Sequence, residues 1–399
     1  LSCRAKGSGD VVMEVVEAAR AVKNGTRPAD DPTIPTLVSL DGDLEQDQLR
    51  YLVQQIAPNG NWIPATTDSP AFASSPMVLM TTADLAEGLR GLQDPYTALT
   101  TASSHRDLSA GSADLPIRFV HTAPTRSNSG LQTLVAQFVA VSGKPAERLT
   151  LADVKANTGK VRAIQNKITR YGASTAGLAK AMVQNGPFWA SIASVYESSV
   201  VASNQSRPAG QPPYVAVYPK ATYTSTMRLI LPNGPWVSER EREAVEVLSR
   251  FMLERPVQEL VAGIGLRPAN PAVQASQIMP ANGVDPQARY EALRSPKPEV
   301  VQAMIQAWLD AAKKPSRVAL VVDSSGSMEG AKISAVQASL MSYLNQISTN
   351  DTVALIDFDN RIQPPVVVDG SGAGKQRSQT FLSRLKADGG THLHLSLIH

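Results

Sequence analysis

The chain has 399 residues, of which 43% are apolar and 18% charged, and this composition is typical of a globular protein with about two or three domains. The formal net charge is +3 and no cluster of lysine and arginine is present, which argues against a nucleic-acid partner. No apolar run approaches the roughly 18 residues needed to span a bilayer, and the single cysteine excludes an intrachain disulfide.

The N-terminal residues leave the cellular location open. The sequence begins with Leu1 rather than methionine, so a targeting segment or a membrane anchor upstream of it stays an open alternative. Cys3 in "LSC" has two interpretations: the lipidated first residue of an exported lipoprotein, or an unpaired thiol in a strand. The unpaired thiol is the interpretation we favour.

Strands alternate with helices along the chain, which predicts an α/β architecture with mostly parallel sheets. In chain order the predicted elements are a helix in "DVVMEVVEAARAV", strands in "SPMVLMTT" and "LPIRFVHT", a helix in "LQTLVAQFVAVSG", a strand in "YVAVYP" and a long amphipathic helix in "VSEREREAVEVLSRFMLERPVQELVAG". The long helix begins after Ser238 as its cap and is interrupted before Pro256.

A connecting segment rich in Pro, Ala and Asn follows the long helix. It contains one predicted helix, "PEVVQAMIQAWLDAAKK". We therefore predict a first domain at residues 1–271, a linker at residues 272–316 and a second domain at residues 317–399.

Small hydroxyl and glycine residues stand immediately before three predicted helices of the first domain. These residues are Gly7, Ser8 and Gly9; Ser127, Asn128, Ser129 and Gly130; and Ser174, Thr175 and Gly177. A helix start presents unpaired N–H groups and a partial positive charge, so such turns can hold an anion or a polar ligand. Plain helix capping requires the same residue types, and both interpretations stay open.

Residues from about 60 to 271 resemble the type II extracellular solute-binding proteins of bacterial transport systems. The resemblance is carried by "SPMVLMTTADLAEGL", "HTAPTRSNSGLQTLVAQF", "YGASTAGLAKAM" and the stretch from "VAVYPKATYTSTMRLILPNGPWVSER" to "GIGLRPANP". It implies two α/β lobes that close over a small solute or anion, with helix N-termini from both lobes facing the cleft. The ligand-binding residues predicted from the turns and from this resemblance are Ser8, Ser75, Ser127, Asn128, Ser129, Ser174 and Thr175. The resemblance does not identify the solute.

Two aromatic residues near the predicted cleft have alternative roles. His121 ends a predicted strand, where it would either bind a ligand or serve as a structural histidine, and the structural role is favoured. Tyr171 is likewise expected to pack between the lobes rather than stack on a solute.

The second domain begins with "VALVVD", a continuous apolar run that is typical of a central parallel strand buried on both faces. Alternate spacing after this strand lets the side-chain oxygens of Asp323, Ser325 and Ser327 converge, and Gly326 relaxes the backbone between them. One carboxylate with neutral hydroxyls leaves room for waters and for an acidic group of a partner, which fits Mg²⁺ or Mn²⁺. The alternative is that Asp323 caps the turn and the serines are merely small.

This region resembles the von Willebrand factor A domain, a Rossmann-like fold. "VALVVDSSGSMEGAKISAVQASLMSYLNQISTNDTVALIDFDN" is followed by "FLSRLKADGGTHL" in the order of that family. The family's metal-ion-dependent adhesion site uses an Asp-x-Ser-x-Ser motif and a threonine. The resemblance therefore implies Asp323, Ser325, Ser327 and Thr391 as ligands of a divalent ion whose open position accepts a carboxylate of a protein partner.

The domain is truncated relative to that family. The chain stops at His399, eight residues after Thr391, and lacks the later aspartate that normally completes the site. The ending "LSLIH" is similar to a translated sequencing adapter, so residues 395–399 are weak evidence for any role. We expect weak or no metal binding by this fragment, and binding by the intact protein.

The favoured function is non-enzymatic: an exported bacterial surface or periplasmic protein that joins a solute-binding module to a metal-dependent adhesion module. Ser325 as a catalytic nucleophile lacks a base and a G-x-S-x-G elbow. "DGSGAGKQRS" fails the phosphate-binding loop pattern at Asp369 and Gln376, and "SGAGK" within it is predicted to be a flexible turn. The alternative function is a scaffold that partners an ATPase or a chaperone-type complex.

Overall fold

The computed structural model describes residues 8–31, 33–274, 278–345 and 347–390. Cys3, Gly7 and Thr391, which carry three of the predictions, lie outside these ranges, as do residues 395–399. None of the helices within the ranges has the length and the apolar character that a bilayer crossing requires. The chain forms two compact units, Leu1–Ala307 and Trp308–His399, which divide inside the predicted linker.

The first unit consists of alternating helices and strands. Its helices are α1 (Ser8–Lys23), α2 (Asp43–Ile56), α3 (Ala83–Gly91), α4 (Pro95–Ala98), α5 (His105–Leu108), α6 (Asn128–Ser142), α7 (Leu151–Gln165), α8 (Thr175–Asn185), α9 (Glu197–Gln205), α10 (Glu239–Met252), α11 (Arg255–Gly263), α12 (Ile278–Ala281) and α13 (Pro298–Ala307). Its strands are β1 (Ala71–Thr81), β2 (Phe119–Thr122), β3 (Ile168–Gly172), β4 (Ile192–Tyr196), β5 (Val215–Val217), β6 (Ala221–Thr222), β7 (Thr224–Arg228), β8 (Arg267–Pro268) and β9 (Glu291–Ala292). The predicted long helix is confirmed as α10 and α11, with Ser238 as the cap and a break before Pro256.

The long strand β1 is shared by two lobes. Residues 71–76 pair with β7 and β8, and these strands form the first lobe together with α1, α2, α10 and α11. Residues 77–81 pair with β4 and β5 in the second lobe, which also contains β2, β3 and helices α3 to α9. The predicted strand "SPMVLMTT" is thus confirmed, and it is one of the connections between the lobes.

The sheet of the second lobe has the order β3-β2-β4-β1-β5, with β2 parallel to both β3 and β4. Parallel neighbours end at the same edge of a sheet, so α6, α8 and α9, which follow these three strands, begin close together. The prediction of mostly parallel sheets is wrong for β1, whose pairs with β4, β5, β7 and β8 are all antiparallel. The reason is that β1 enters the second lobe from the first and runs against β4.

Each lobe has its own apolar core. In the second lobe Val78, Val120 and Val195 pack between the sheet and helices α8 and α9. In the first lobe α1 and α2 bury a separate cluster that includes Leu49 and Trp236. Two cores on either side of a shared strand are what the predicted two-lobed architecture requires.

The second unit contains a small sheet and two α-helices within the described residues. Its elements are β10 (Arg317–Asp323), α14 (Ala331–Leu344), β11 (Thr352–Phe358), β12 (Val366–Val368) and α15 (Gly372–Arg384). β10 is parallel to β11 along its whole length, and β12 is antiparallel to β11. Ser371 caps α15 by accepting a hydrogen bond from Gly374 N–H (3.0 Å), so the prediction of a flexible turn at "SGAGK" is wrong.

Strand β10 is less buried than its sequence predicts. Val321 is 48% exposed, and exposed residues alternate with partly buried ones along most of the strand. Among the described residues β10 lies at the edge of the sheet, and Leu344 alone of the residues in α14 is buried. The prediction of burial on both faces is therefore wrong here, because an apolar run is buried only where further strands and helices cover it.

Candidate functional sites

Helix N-termini from the two lobes approach each other closely. Gly42 precedes α2 of the first lobe, and a Cβ atom added there would lie 2.9 Å from Nδ2 of Asn128 and 3.0 Å from Nε2 of Gln132. Asn128 and Gln132 belong to the first turns of α6 in the second lobe, and both are buried. A side chain at position 42 would require the amide groups of Asn128 and Gln132 to shift, so glycine allows the two helix starts to lie this close without rearrangement.

A cluster of hydroxyl groups fills the edge of the second-lobe sheet. Oγ of Ser129 lies 2.8 Å from Oγ1 of Thr122, 3.1 Å from Oγ of Ser127 and 2.5 Å from Oγ1 of Thr175. All four residues are buried. Ser127 and Ser129 stand at the start of α6 and Thr175 at the start of α8, and the parallel strands β2 and β3 place these helix starts side by side. Three of the predicted ligand-binding residues are thus brought together.

The other predicted cleft residues have separate positions. Asn128 donates from Nδ2 to the hydroxyl of Tyr196 (3.3 Å). Ser75, in the middle of β1, is buried and accepts a hydrogen bond from the backbone N–H of Ser198 (3.1 Å). Ser174 is exposed and caps α8 by accepting from Gly177 N–H (3.2 Å). Ser8 begins α1, and the orientation of its side chain lies outside the described part of the chain.

Tyr196 was not predicted from the sequence, although it ends β4 at the same sheet edge as the hydroxyl cluster. Burial raises the pKa of Tyr196 well above its ordinary value, and the carboxylates of Asp41 and Glu45 raise it further. Its neutral phenol is therefore buried close to two carboxylates. The apolar run "IASVY" followed by a helix was the available signal for it, because the C-terminal ends of parallel strands are where ligands bind.

His121 lies inside the second lobe. It is fully buried, with Nδ1 2.7 Å from the carbonyl oxygen of Thr122 and Nε2 3.1 Å from Nε2 of Gln165. A neutral imidazole with the proton on Nδ1 satisfies both contacts, and burial lowers the pKa of His121 to about 4. The hydroxyl of Tyr171 donates to Oε1 of the same Gln165 (2.6 Å). The structure places both aromatic residues in this buried hydrogen-bond network.

At the C-terminal end of β10, the acid and the two hydroxyls lie on one short turn. Asp323 accepts the backbone N–H of Ser325 at one carboxylate oxygen (2.9 Å), and Oγ of Ser325 lies 3.1 Å from Oγ of Ser327. Neighbouring ligands of an octahedral ion bound at about 2.1 Å are themselves about 3.0 Å apart. The separation of the two hydroxyls therefore fits a shared divalent ion, and the side chains present are of the right chemical kind.

The loop before Thr391 is attached to the same turn. Gly326 N–H donates to the carbonyl of Gly389 (3.0 Å), and Asp388 N–H donates to the carbonyl of Ser324 (2.9 Å). Thr391 itself lies outside the described residues. These two hydrogen bonds bring the Gly-Gly turn that precedes the threonine next to the hydroxyl pair.

Carboxylates near the turn make its surroundings negative. Burial raises the pKa of Asp357 on β11, and the neighbouring carboxylates of Asp359 and Asp323 raise it further. Across the described ranges, no group of three or more His, Cys, Asp or Glu side chains is arranged to hold a metal ion.

Comparison with protein families identifies the first unit. The family described as bacterial extracellular solute-binding proteins matches residues 3–284, well over half of the chain. The chain belongs to this family. The von Willebrand factor type A domain matches residues 318–398 of the solute-binding protein. The predicted fold class is thereby confirmed: an α/β solute-binding domain of two lobes, followed by part of an A domain.

Individual relatives of the solute-binding protein are distant. Iron-bound HitA from Pseudomonas aeruginosa is 11% identical, with 76% of this chain and 96% of that chain covered and a TM-score of 0.49. AfuA from Actinobacillus pleuropneumoniae, with fructose-6-phosphate bound, is 14% identical, with 77% and 88% covered and a TM-score of 0.48. Inter-alpha-trypsin inhibitor heavy chain H4 of Bos taurus is 29% identical over 86 residues, which are 21% of this chain and 9% of that protein.

Membership of an extracellular family places the solute-binding protein outside the cytoplasm. The first unit is a binding module by family, and the second unit matches the A domain. What each module recognises is a separate question.

Proposed function

We propose that this solute-binding protein is an exported bacterial recognition protein of the cell surface or periplasm. Its first unit binds a small polar solute between the lobes, and its second unit binds an acidic group of a protein partner through a divalent ion. The observation that carries the proposal is the 3.1 Å separation of the Ser325 and Ser327 hydroxyls beside Asp323, at the end of a parallel strand.

In the second unit, Asp323, Ser325, Ser327 and Thr391 would hold Mg²⁺ or Mn²⁺. The ion supplies a Lewis-acidic position that a carboxylate can occupy. Asp323 keeps one oxygen on the N–H of Ser325, which fixes the direction of the other oxygen. Ser325 is buried while Ser327 is exposed, so a partner would approach from the side of Ser327.

In the first unit, the electrostatics of the cleft favour one class of solute. The first turns of α2 and α6 offer N–H groups, but the carboxylates of Asp41 and Glu45 raise the pKa of the neighbouring Tyr196 phenol. The same negative field opposes a multiply charged anion. We therefore propose a small polar solute with several hydroxyl groups or a singly charged anion.

Isothermal titration of Mn²⁺ into a chain that contains the complete A domain tests the metal site. Asp323→Asn should abolish measurable binding, because it removes the only carboxylate among the proposed ligands. Asp359→Asn is the matched control, since it removes a nearby negative charge that is not a ligand, and it should change the affinity by less than about tenfold. An equal loss of Mn²⁺ affinity in both variants would show that binding depends only on the negative charge around the turn.

A further inference from the structure

Residues 285–307, called the strap below, follow directly after the part of the chain that matches the solute-binding family. They end where the second unit begins. The strap is thus the last part of the first unit, and along the chain it lies between the residues that match the family and the second unit. Its contacts within the first unit involve both lobes and the segment that joins them.

The strap first pairs with a connection between the lobes. The chain passes from the second lobe back to the first through β5, β6 and β7, and β9 of the strap is parallel to β6. Glu291 N–H donates to the carbonyl of Lys220 (2.7 Å), and Leu293 N–H donates to the carbonyl of Thr222 (2.9 Å). The strap is therefore hydrogen-bonded to the backbone that would have to bend when the lobes separate.

An aromatic ring of the strap next covers an ion pair between the lobes. Arg267, on β8 of the first lobe, donates two hydrogen bonds to Glu197, whose side chain is fully buried at the start of α9 in the second lobe (2.9 and 2.7 Å). Tyr290 of the strap stacks on Tyr218 at 6.2 Å between ring centroids and lies 5.9 Å from the Arg267 guanidinium carbon. Tyr218 in turn donates to Glu197 (2.6 Å).

Helix α13 of the strap then lies across both lobes. It packs against α2 of the first lobe and against α6 and α7 of the second. Its residues Val300, Val301 and Met304 are buried. Gln302 donates from Nε2 to Oε1 of Gln48 on α2 (2.7 Å). A helix that is buried against elements of both lobes must lose part of this contact if either lobe moves away.

We propose that the strap is an intramolecular lock that holds the two lobes closed. The cleft then cannot open unless α13 separates either from α2 or from α6 and α7. Because Ala307 ends the strap and Trp308 begins the second unit, release of the strap also frees the chain that leads to the A domain. This inference does not depend on the identity of any solute or on metal binding.

Distance measurements by electron–electron double resonance on the full chain test the lock. Spin labels are attached at Glu243→Cys on α10 and Lys180→Cys on α8, both exposed, in a Cys3→Ser background. The unaltered strap should give one narrow distance. Val301→Ala with Met304→Ala should add a component longer by several ångströms, because the buried contacts of α13 are weakened. Glu299→Gln, an exposed change in the same helix, should leave the distance unchanged.

Hydrogen exchange on the same variants shows whether the strap has been released. Faster exchange in α13 with an unchanged interlobe distance would overturn the proposal, because the strap would then leave without opening the cleft. If circular dichroism shows that the double variant is unfolded, Ser295→Ala with Gln302→Ala replaces it. That variant removes the hydrogen bonds of the strap to Asp47 and Gln48 without a cavity, and it should give the same longer component in smaller amount.

Discussion

Helices α6 and α14 are similar in sequence character but differ in their surroundings. Each follows a strand and a turn that contains serine, α6 after β2 and α14 after β10. Most residues of α6 are buried, because the helix is covered by β1, β2, β4, α4, α7 and α13. In α14 the only buried residue is Leu344, and the helix packs mainly against α15. The comparison shows that the apolar content of a helix does not determine its burial, since the number of covering layers decides it.

Strands of the two units show the same difference. Leu79 and Met80 of β1 are completely buried, whereas Val321 of β10 is 48% exposed. Both strands are apolar runs, but β1 has neighbours on both edges and helices on its faces. The two units should therefore respond very differently to equivalent substitutions.

The largest difference is expected for truncations of apolar side chains. Phe119 at the start of β2 is completely buried, and Phe119→Ala should lower the free energy of unfolding of the first unit by about 3–5 kcal/mol through loss of transfer energy and formation of a cavity. Val321→Ala should lower that of the second unit by about 1 kcal/mol or less. Denaturant unfolding that resolves the two units measures both values. Similar losses would contradict the comparison.

A smaller difference is expected in acid, where different groups titrate in the two units. His121 has a pKa of about 4 in the fold against 6.5 when unfolded. The first unit therefore loses stability as the pH falls from 6.5 to 4, by up to about 3.5 kcal/mol at about 1.4 kcal/mol per pKa unit. In the second unit burial would raise the pKa of Asp351, but hydrogen bonds from Lys313 and Ser316 hold it well below its usual range. The stability that the Asp351 carboxylate adds to the second unit is therefore present above pH 3.8 and is lost as the pH falls below that value.

Thermal unfolding between pH 7 and pH 2 checks these two windows. His121→Gln, which cannot gain a proton, should remove most of the pH dependence of the first unit between pH 6.5 and 4 and leave the second unit unchanged. Asp351→Asn should flatten the response of the second unit below pH 3.8. A wild-type protein in which both units lose stability over the same range would rule out this assignment.

The smallest difference is expected at the helix caps. Ser238 caps α10 and Ser371 caps α15, each by accepting the N–H of the residue three positions later. Their replacement by alanine should destabilise the respective units by about 1 kcal/mol each, since a cap acts locally and does not depend on covering layers. Ser383→Ala, at an exposed position late in α15, is the control and should change stability by less than about 0.5 kcal/mol. Clearly unequal losses of stability in the two cap variants would show that the contribution of a helix cap also depends on the surrounding fold.

Much of the fold could be predicted from local patterns. The cap at Ser238, the break before Pro256 and the strands that become β1 and β10 are all set by residues close together in the sequence. The direction of β1 relative to its partners could not be predicted, because strand pairing joins residues more than a hundred positions apart, such as Met77 and Tyr196.

The two candidate sites also differ in how far local sequence predicts them. The turn with Asp323, Ser325 and Ser327 is a local motif, and its sequence spacing alone predicts that its oxygens converge. The cleft between the lobes depends on distant contacts. The spacing of residues did not identify Tyr196, and it did not indicate that Gly42 of one lobe would meet Asn128 of the other.

By itself, the sequence determined the order of helices and strands, the capped helix starts, the serine turn after β10 and the resemblance to two families. All of these depend on side chains within one or two turns of each other, where backbone geometry leaves few alternatives. The tertiary structure alone decided which hydroxyl groups come together at the end of β2 and β3, that β10 lies at the edge of the sheet among the described residues, and that the strap lies across both lobes. These features depend on strand order and on which layers cover which faces, and such contacts arise only when distant parts of the chain meet.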